Sequence, residues 1–184
     1  ASLTKIMTCI LLVEQYGDQL DTVTAELTAS IRDALYGQGM ATADIRLGEP
    51  HTLRSLMYAA MVPSAADAAM IIANTVSGGS IDNFVYMMNS KAKEIGCSGT
   101  TFVDPVGMSL ENVTTARDMY LILRYAMSFD VLKEAMSTLK WDMGQDFMPS
   151  RYSSSQPYML YSTNKMHDKD LGAEYYRAYN QGGK

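Results

Sequence analysis

The chain opens on Ser2-Leu3-Thr4-Lys5, a hydroxyl and an amine three residues apart. On a helix that spacing puts both groups on one face, where a neutral amine can take the hydroxyl proton and leave a nucleophile. The same Ser-x-x-Lys spacing recurs at Ser90 to Lys93, Ser137 to Lys140 and Ser162 to Lys165, so spacing alone does not choose among the four. Position does. Ser2 stands at the start of an apolar helix, where the free amides and the helix dipole favour negative charge developing on the hydroxyl or on a substrate oxygen. The other three pairs fall on polar stretches. A further hydroxyl, Ser64, follows Pro63 and precedes a helical run; taken by itself it reads as the N-cap of that helix.

The remaining chemistry-bearing residues point elsewhere. His51 and His167 lack the Asp, Glu or Cys spacing of a zinc site and read as surface histidines. Cys9 and Cys97 are too few for a disulfide framework and read as small buried hydrophobes. No metal or cofactor is expected. The 15 methionines read as fillers of helical faces.

The elements that must position Ser2 and Ser64 are mostly helices. Leu3, Ile6, Met7, Ile10, Leu11 and Val13 recur at helical spacing from Ser2 to about Tyr16, where Gly17 supplies a stop. Residues 21 to 50 read as irregular or short helical structure. A helix from Thr52 to about Met61 is interrupted by Pro63. Others run from Ala65 to Val76, from Ser80 to Ile95, and from Thr114 or Thr115 onward with Met119, Ile122, Leu123 and Ala126 on its inner face. Thr100 to Val103 is extended, and after about Ser137 the pattern suits a loop with an edge strand. With 184 residues, 47% of them hydrophobic and 19% charged, the chain can bury one sizeable core as a single domain. A net charge of -5 argues against a nucleic-acid partner. No apolar run approaches the roughly 20 residues of a membrane span.

Beyond these patterns the sequence resembles a known family. Ala1 to Thr8, reading ASLTKIMT, is similar to the nucleophile motif of the D-alanyl-D-alanine carboxypeptidases, the low-molecular-weight penicillin-binding proteins of serine peptidase family S11. Leu56 to Ala69 resembles the family's second motif region, in which a Ser-x-Asn triplet precedes Asp-Ala-Ala. Phe84 to Gly96 resembles the helix after it, and Thr100 to Met108 its Thr-x-Phe-x-Asn-Pro-x-Gly-Leu segment. Thr114 to Asp118 resembles its Thr-Ala-x-Asp helix start. Thr163-Asn164-Lys165 resembles its Thr-Asn loop, and Gly182-Gly183-Lys184 stops where its Lys-Thr-Gly motif would be completed.

The resemblance implies catalytic roles for Ser2 as nucleophile, Lys5 as base and Ser64 as proton relay, with Lys184 near the substrate's terminal carboxylate. It implies a β-lactamase/transpeptidase-like α+β fold and an extracytoplasmic peptidase. The substrate would be a peptidoglycan stem peptide ending in D-Ala-D-Ala, and β-lactam antibiotics would inhibit it covalently. The chain reads as an internal fragment of the penicillin-binding catalytic domain, cut at both ends. It is therefore expected to be predominantly α-helical, with most of the antiparallel sheet missing and little activity as an isolated piece. Ala66 stands where the family has Asn. That departure keeps open a non-catalytic homologue that binds wall peptide, and Glu111-Asn112 gives a weak match to the deacylating residues of a serine β-lactamase.

Overall fold

The computed structural model describes residues 2–163. Its helices are, in chain order, α1 (Thr4–Tyr16), α2 (Ala29–Leu35), α3 (Leu53–Met61), α4 (Ala66–Val76), α5 (Ile81–Glu94), α6 (Ala116–Ala126) and α7 (Asp130–Ser137). Two small antiparallel sheets flank them. β1 (Thr24–Ala25) pairs with β2 (His51–Thr52), Thr24 opposite Thr52, and β3 (Lys140–Asp142) pairs with β4 (Met159–Tyr161), Trp141 opposite Leu160.

A helix with apolar residues all round its circumference has to be enclosed on every side. Thus α1 is buried at every residue from Thr4 to Val13 and touches α3, α4, α5, α6 and α7. Each fully buried Leu, Ile or Met contributes about 1.5–3 kcal/mol of transfer free energy, so α1 is firmly anchored. Among the described residues no helix is long and apolar enough to cross a membrane. Cys9 and Cys97 are free and buried, in keeping with their reading as small hydrophobes.

Hydroxyl caps set several helix starts. Thr52 accepts from the Ser55 amide at 3.1 Å, Ser80 from Asn83 at 3.2 Å and Thr115 from Asp118 at 3.1 Å. The last two stand where the sequence starts their helices. Within the segment read as irregular or short helical, α2 is a short helix capped by Thr28.

Three expectations need correction. Ser64 does not cap α4; the residue at the cap position is Ala65, which has no side chain to offer. His51 is fully buried rather than on the surface. Its ring packs edge-on against Phe147 and Tyr158, which belong to the segment that folds back over β2. Leu123 is 37% exposed rather than turned inward; Ile122 and Ala126 hold the buried face of α6.

Candidate active site

The start of α1 is wound tightly: the amides of Lys5 and Ile6 return to the carbonyls of Ser2 and Leu3 at 3.1 and 3.2 Å. Ser2 is exposed at this tip, and Lys5, one turn along, is only 1% exposed. The Lys5 amine donates to the Val106 carbonyl at 2.8 Å, and the Thr8 hydroxyl, on the same face, donates to the Pro105 carbonyl at 2.7 Å. Burial pushes the Lys5 pKa below its usual 10.5, opposed by the negative charge of Asp104. A lysine so placed is drawn toward the neutral form that a general base requires.

The carbonyl that receives Lys5 is presented by a loop organised around one carboxylate. Asp104 accepts the amides of Val106 (2.8 Å), Gly107 (2.6 Å), Met108 (3.2 Å) and Ser109 (2.7 Å), and the side-chain amide of Asn112 at 2.6 Å. Burial alone would raise its pKa, but these donors prevail and hold it below 3.8. Asn112 also accepts from the Val103 amide at 2.9 Å. Its side chain is thus occupied in bracing the loop, and Glu111 beside it is exposed. The extended run entering the loop is fixed by Asn89, which donates to the Phe102 carbonyl and accepts its amide, each at 2.8 Å.

Ser64 arrives from the other side. After α3 the chain turns through Val62 and Pro63, and Ser64 adopts φ 63°, a left-handed conformation that side chains other than Gly and Asn rarely take. Such a conformation costs on the order of 1–3 kcal/mol and persists only where the surroundings impose it. Here the Ala65 amide returns to the Ala59 carbonyl at 3.0 Å, and the Ala66 amide reaches the Ala41 carbonyl at 2.8 Å. Asp67, 3% exposed, accepts the amides of Ala43 (2.9 Å), Ile45 (3.2 Å) and Ala68 (2.9 Å), fastening the 41–45 segment across the turn. Tyr158 closes the other side by donating to the Ala43 carbonyl at 2.6 Å. The Ser64 Oγ is buried and makes no hydrogen bond among the described residues.

These pieces meet at one cleft of about 400 Å³. Ser2, Ser64, Ser162 and Thr163 give it hydroxyls, and Leu3, Met61, Leu123 and Met136 give it apolar walls. Residues Ser162 and Thr163 follow β4 and are held against the Ser64 turn, the Thr163 amide donating to the Val62 carbonyl at 3.2 Å. The structure therefore brings Ser2 and Ser64 to the same cleft, while the Lys5 amine is buried against the Val106 carbonyl. Of the competing Ser-x-x-Lys pairs, Ser90 with Lys93 and Ser137 with Lys140 are exposed. Ser162 does reach the cleft; Lys165, Asn164, His167 and Lys184 lie outside the described residues. Ala66 is fully buried in the first turn of α4.

Sequence reasoning missed Thr8, Asn89 and Asn112 as parts of this site's frame, and gave Asp104 and Asp67 no role in positioning it. Asp104 alone carried a local signal, since an Asp two residues before a Val-Gly pair favours a turn closed by its own carboxylate.

Three comparisons bear on this geometry. The family model described as D-alanyl-D-alanine carboxypeptidase matches residues 1–166. Among curated proteins, the chain is 28% identical over 169 residues to the D-alanyl-D-alanine carboxypeptidase DacF of Bacillus subtilis, covering 90% of this chain and 40% of that protein. It is 29% identical over 140 residues to a D-alanyl-D-alanine endopeptidase of Pseudomonas aeruginosa, covering 75% and 43% respectively. Among solved structures, the DD-transpeptidase of Streptomyces K15 superposes with a TM-score of 0.79 at 24% identity, over 91% of this chain and 65% of that one. The chain thus has the helix-rich part of the transpeptidase-type α+β fold and spans less than half the length of these two curated relatives.

Proposed function

The chain belongs to the D-alanyl-D-alanine carboxypeptidase family, and on that premise we propose that it forms the nucleophile-bearing part of a serine peptidase that trims peptidoglycan stem peptides ending in D-Ala-D-Ala. The observation that carries this reading is the convergence of Ser2 and Ser64 on one cleft, with Lys5 buried one helical turn along α1 from Ser2. Residues 1–184 are read as part of a single penicillin-binding catalytic domain.

In this reading neutral Lys5 accepts the proton of Ser2 as its Oγ attacks the carbonyl between the two D-alanines. A tetrahedral oxyanion forms at the tip of α1, where helix amides favour negative charge. Its collapse breaks the C–N bond and leaves an ester on Ser2. The departing D-alanine amine needs a proton, and in this reading the Ser64 hydroxyl, which makes no other described hydrogen bond, relays it from the Lys5 ammonium. Water then hydrolyses the ester and frees the shortened peptide. Lys184 is assigned to the terminal carboxylate, as the family's Lys-Thr-Gly motif implies. β-Lactams would acylate Ser2 and hydrolyse slowly, and the site of action would be extracytoplasmic.

The test is release of D-alanine from a synthetic N-acylated L-Lys-D-Ala-D-Ala peptide by the full-length protein. Activity abolished in Ser2→Ala and cut at least a hundredfold in Ser64→Ala supports the assignment. Equal turnover in Ser2→Ala refutes it.

A further inference from the structure

Among the described residues nothing hydrogen-bonds the Ser64 hydroxyl, so its placement follows from the backbone, and that backbone is held left-handed by contacts from outside the turn. One support is the 41–45 segment, which belongs to no helix or strand and takes its shape from its anchors. The start of α4 supplies those on one side: the Ala66 amide donates to the Ala41 carbonyl at 2.8 Å, and Asp67 accepts the amides of Ala43 and Ile45. The 151–158 return supplies the others. The Tyr158 hydroxyl donates to the Ala43 carbonyl at 2.6 Å, which leaves both polar groups of Ala43 pinned, and Arg151 donates to the Asp44 carboxylate at 2.9 Å and to the Asp44 carbonyl. Just beyond β4, which follows Tyr158 directly, the Thr163 amide reaches the Val62 carbonyl. One short stretch of chain thus braces the Ser64 turn twice.

Resting on the acyl-transfer reading above, we propose that Tyr158 is a positioning residue for Ser64: its hydroxyl, acting through the Ala43 carbonyl and the 41–45 segment, holds the turn where the Ser64 hydroxyl can meet the leaving nitrogen. The ring is built in for this. It is 1% exposed, stacks on Tyr152 with centroids 4.2 Å apart and planes 7° from parallel, and meets His51 edge-on. Burial pushes the hydroxyl pKa above its usual 10, so it stays a donor across the pH range of an acylation assay. Tyr158→Phe keeps the buried ring and removes only the tie. Because a misplacement of about 1 Å can cost on the order of a hundredfold in rate, loosening this tie should be felt in the proton relay, and felt only while Ser64 is there to carry it.

A double-mutant cycle separates this role from a merely structural one. Opening a penicillin breaks the amide C–N bond of its four-membered ring, and the nitrogen takes a proton as the D-alanine amine does. The measurement is the second-order rate constant for acylation of the full-length protein by benzylpenicillin, in the wild type, Tyr158→Phe, Ser64→Ala and the double variant. Tyr158→Phe is expected to lower the rate about tenfold when Ser64 is present and less than twofold in the Ser64→Ala background. Tyr86→Phe, which removes a hydroxyl from a residue 71% exposed on α5, should leave it unchanged. Should Tyr158→Phe fold poorly, Arg151→Gln loosens the same segment from its more exposed side, and its loss should likewise vanish in Ser64→Ala. A wild-type rate in Tyr158→Phe, or a loss of equal size in both backgrounds for either variant, overturns the positioning role and leaves the peptidase reading intact. A folded wild type that benzylpenicillin does not acylate, or a Ser64→Ala protein acylated at the wild-type rate, overturns both.

Discussion

Replacing Asp104 by Asn should weaken the fold and, at the same time, make Lys5 a base at lower pH. The carboxylate gathers the loop that presents the Val106 carbonyl to the Lys5 amine, with its Oδ1 accepting the amides of Val106, Gly107 and Met108 and its Oδ2 accepting Ser109 and Asn112. An Asn oriented to keep the first set places an NH2 against the two remaining donors. Hydrogen bonds to a charged acceptor are worth roughly 1.5–3 kcal/mol each. Water reaches part of this loop, so the net loss should be about 3 kcal/mol, read as a lower midpoint in urea denaturation at pH 7. The charge matters separately. Asp104 raises the Lys5 pKa against the lowering effect of burial, so its removal lets that pKa fall further. The ascending limb of penicillin acylation against pH, where Lys5 loses its proton, should move to lower pH in the variant. A limb that stays put or moves up would refute either the coupling of Asp104 to Lys5 or the assignment of Lys5 as base. An unchanged denaturation midpoint would refute the loop's dependence on the carboxylate.

The left-handed Ser64 separates stability from function: Ser64→Ala and Ser64→Gly both remove the hydroxyl, but the glycine variant should be more stable than the alanine one by about 1 kcal/mol in thermal denaturation, since only glycine adopts this φ without strain. His51 predicts an acid-sensitive fold. Burial lowers its pKa below the ordinary 6.5, with Glu49 and Asp146 opposing and Arg151 reinforcing. The folded state therefore binds its proton less readily than the unfolded one, so the His51 contribution is fully present above pH 6.5 and is lost as pH falls from there through the folded-state pKa. In His51→Phe, urea midpoints should fall less between pH 7 and pH 5 than in the wild type; parallel pH profiles would contradict the burial argument.

The helices that carry the chemistry were legible because their signals are local. The apolar run of α1, the hydroxyls of Ser80 and Thr115 at helix starts, and the break at Pro63 are each written within a few residues, and most of the quoted motifs fall within residues 1–166, which the family model matches. What escaped reading depends on contacts distant in sequence. Ser64 looks like an N-cap until Asp67 draws in Ala43 and Ile45 from 22–24 residues away and the turn is forced left-handed. His51 is polar and sits in a polar neighbourhood, and only the return of residues 140–161 over β2 buries it. Leu123 satisfies the helical period of α6 as well as Ile122 does, yet periodicity marks a side chain as apolar without saying whether a core or a cleft lies opposite. Ala66 replaces an expected amide at a position with no exposure, so an Asn there has no adjacent solvent and would have to find protein partners. That constraint was invisible in the substitution itself.

The most direct test of the central claim is intact-mass analysis of the full-length protein after incubation with benzylpenicillin, followed by mapping of the modified peptide. A stoichiometric adduct on the peptide containing Ser2, lost in Ser2→Ala and kept in Ser162→Ala, is the predicted result. An adduct on Ser162, the other hydroxyl of the cleft with a lysine three residues on, or none on a folded protein, would contradict the assignment of Ser2 as nucleophile.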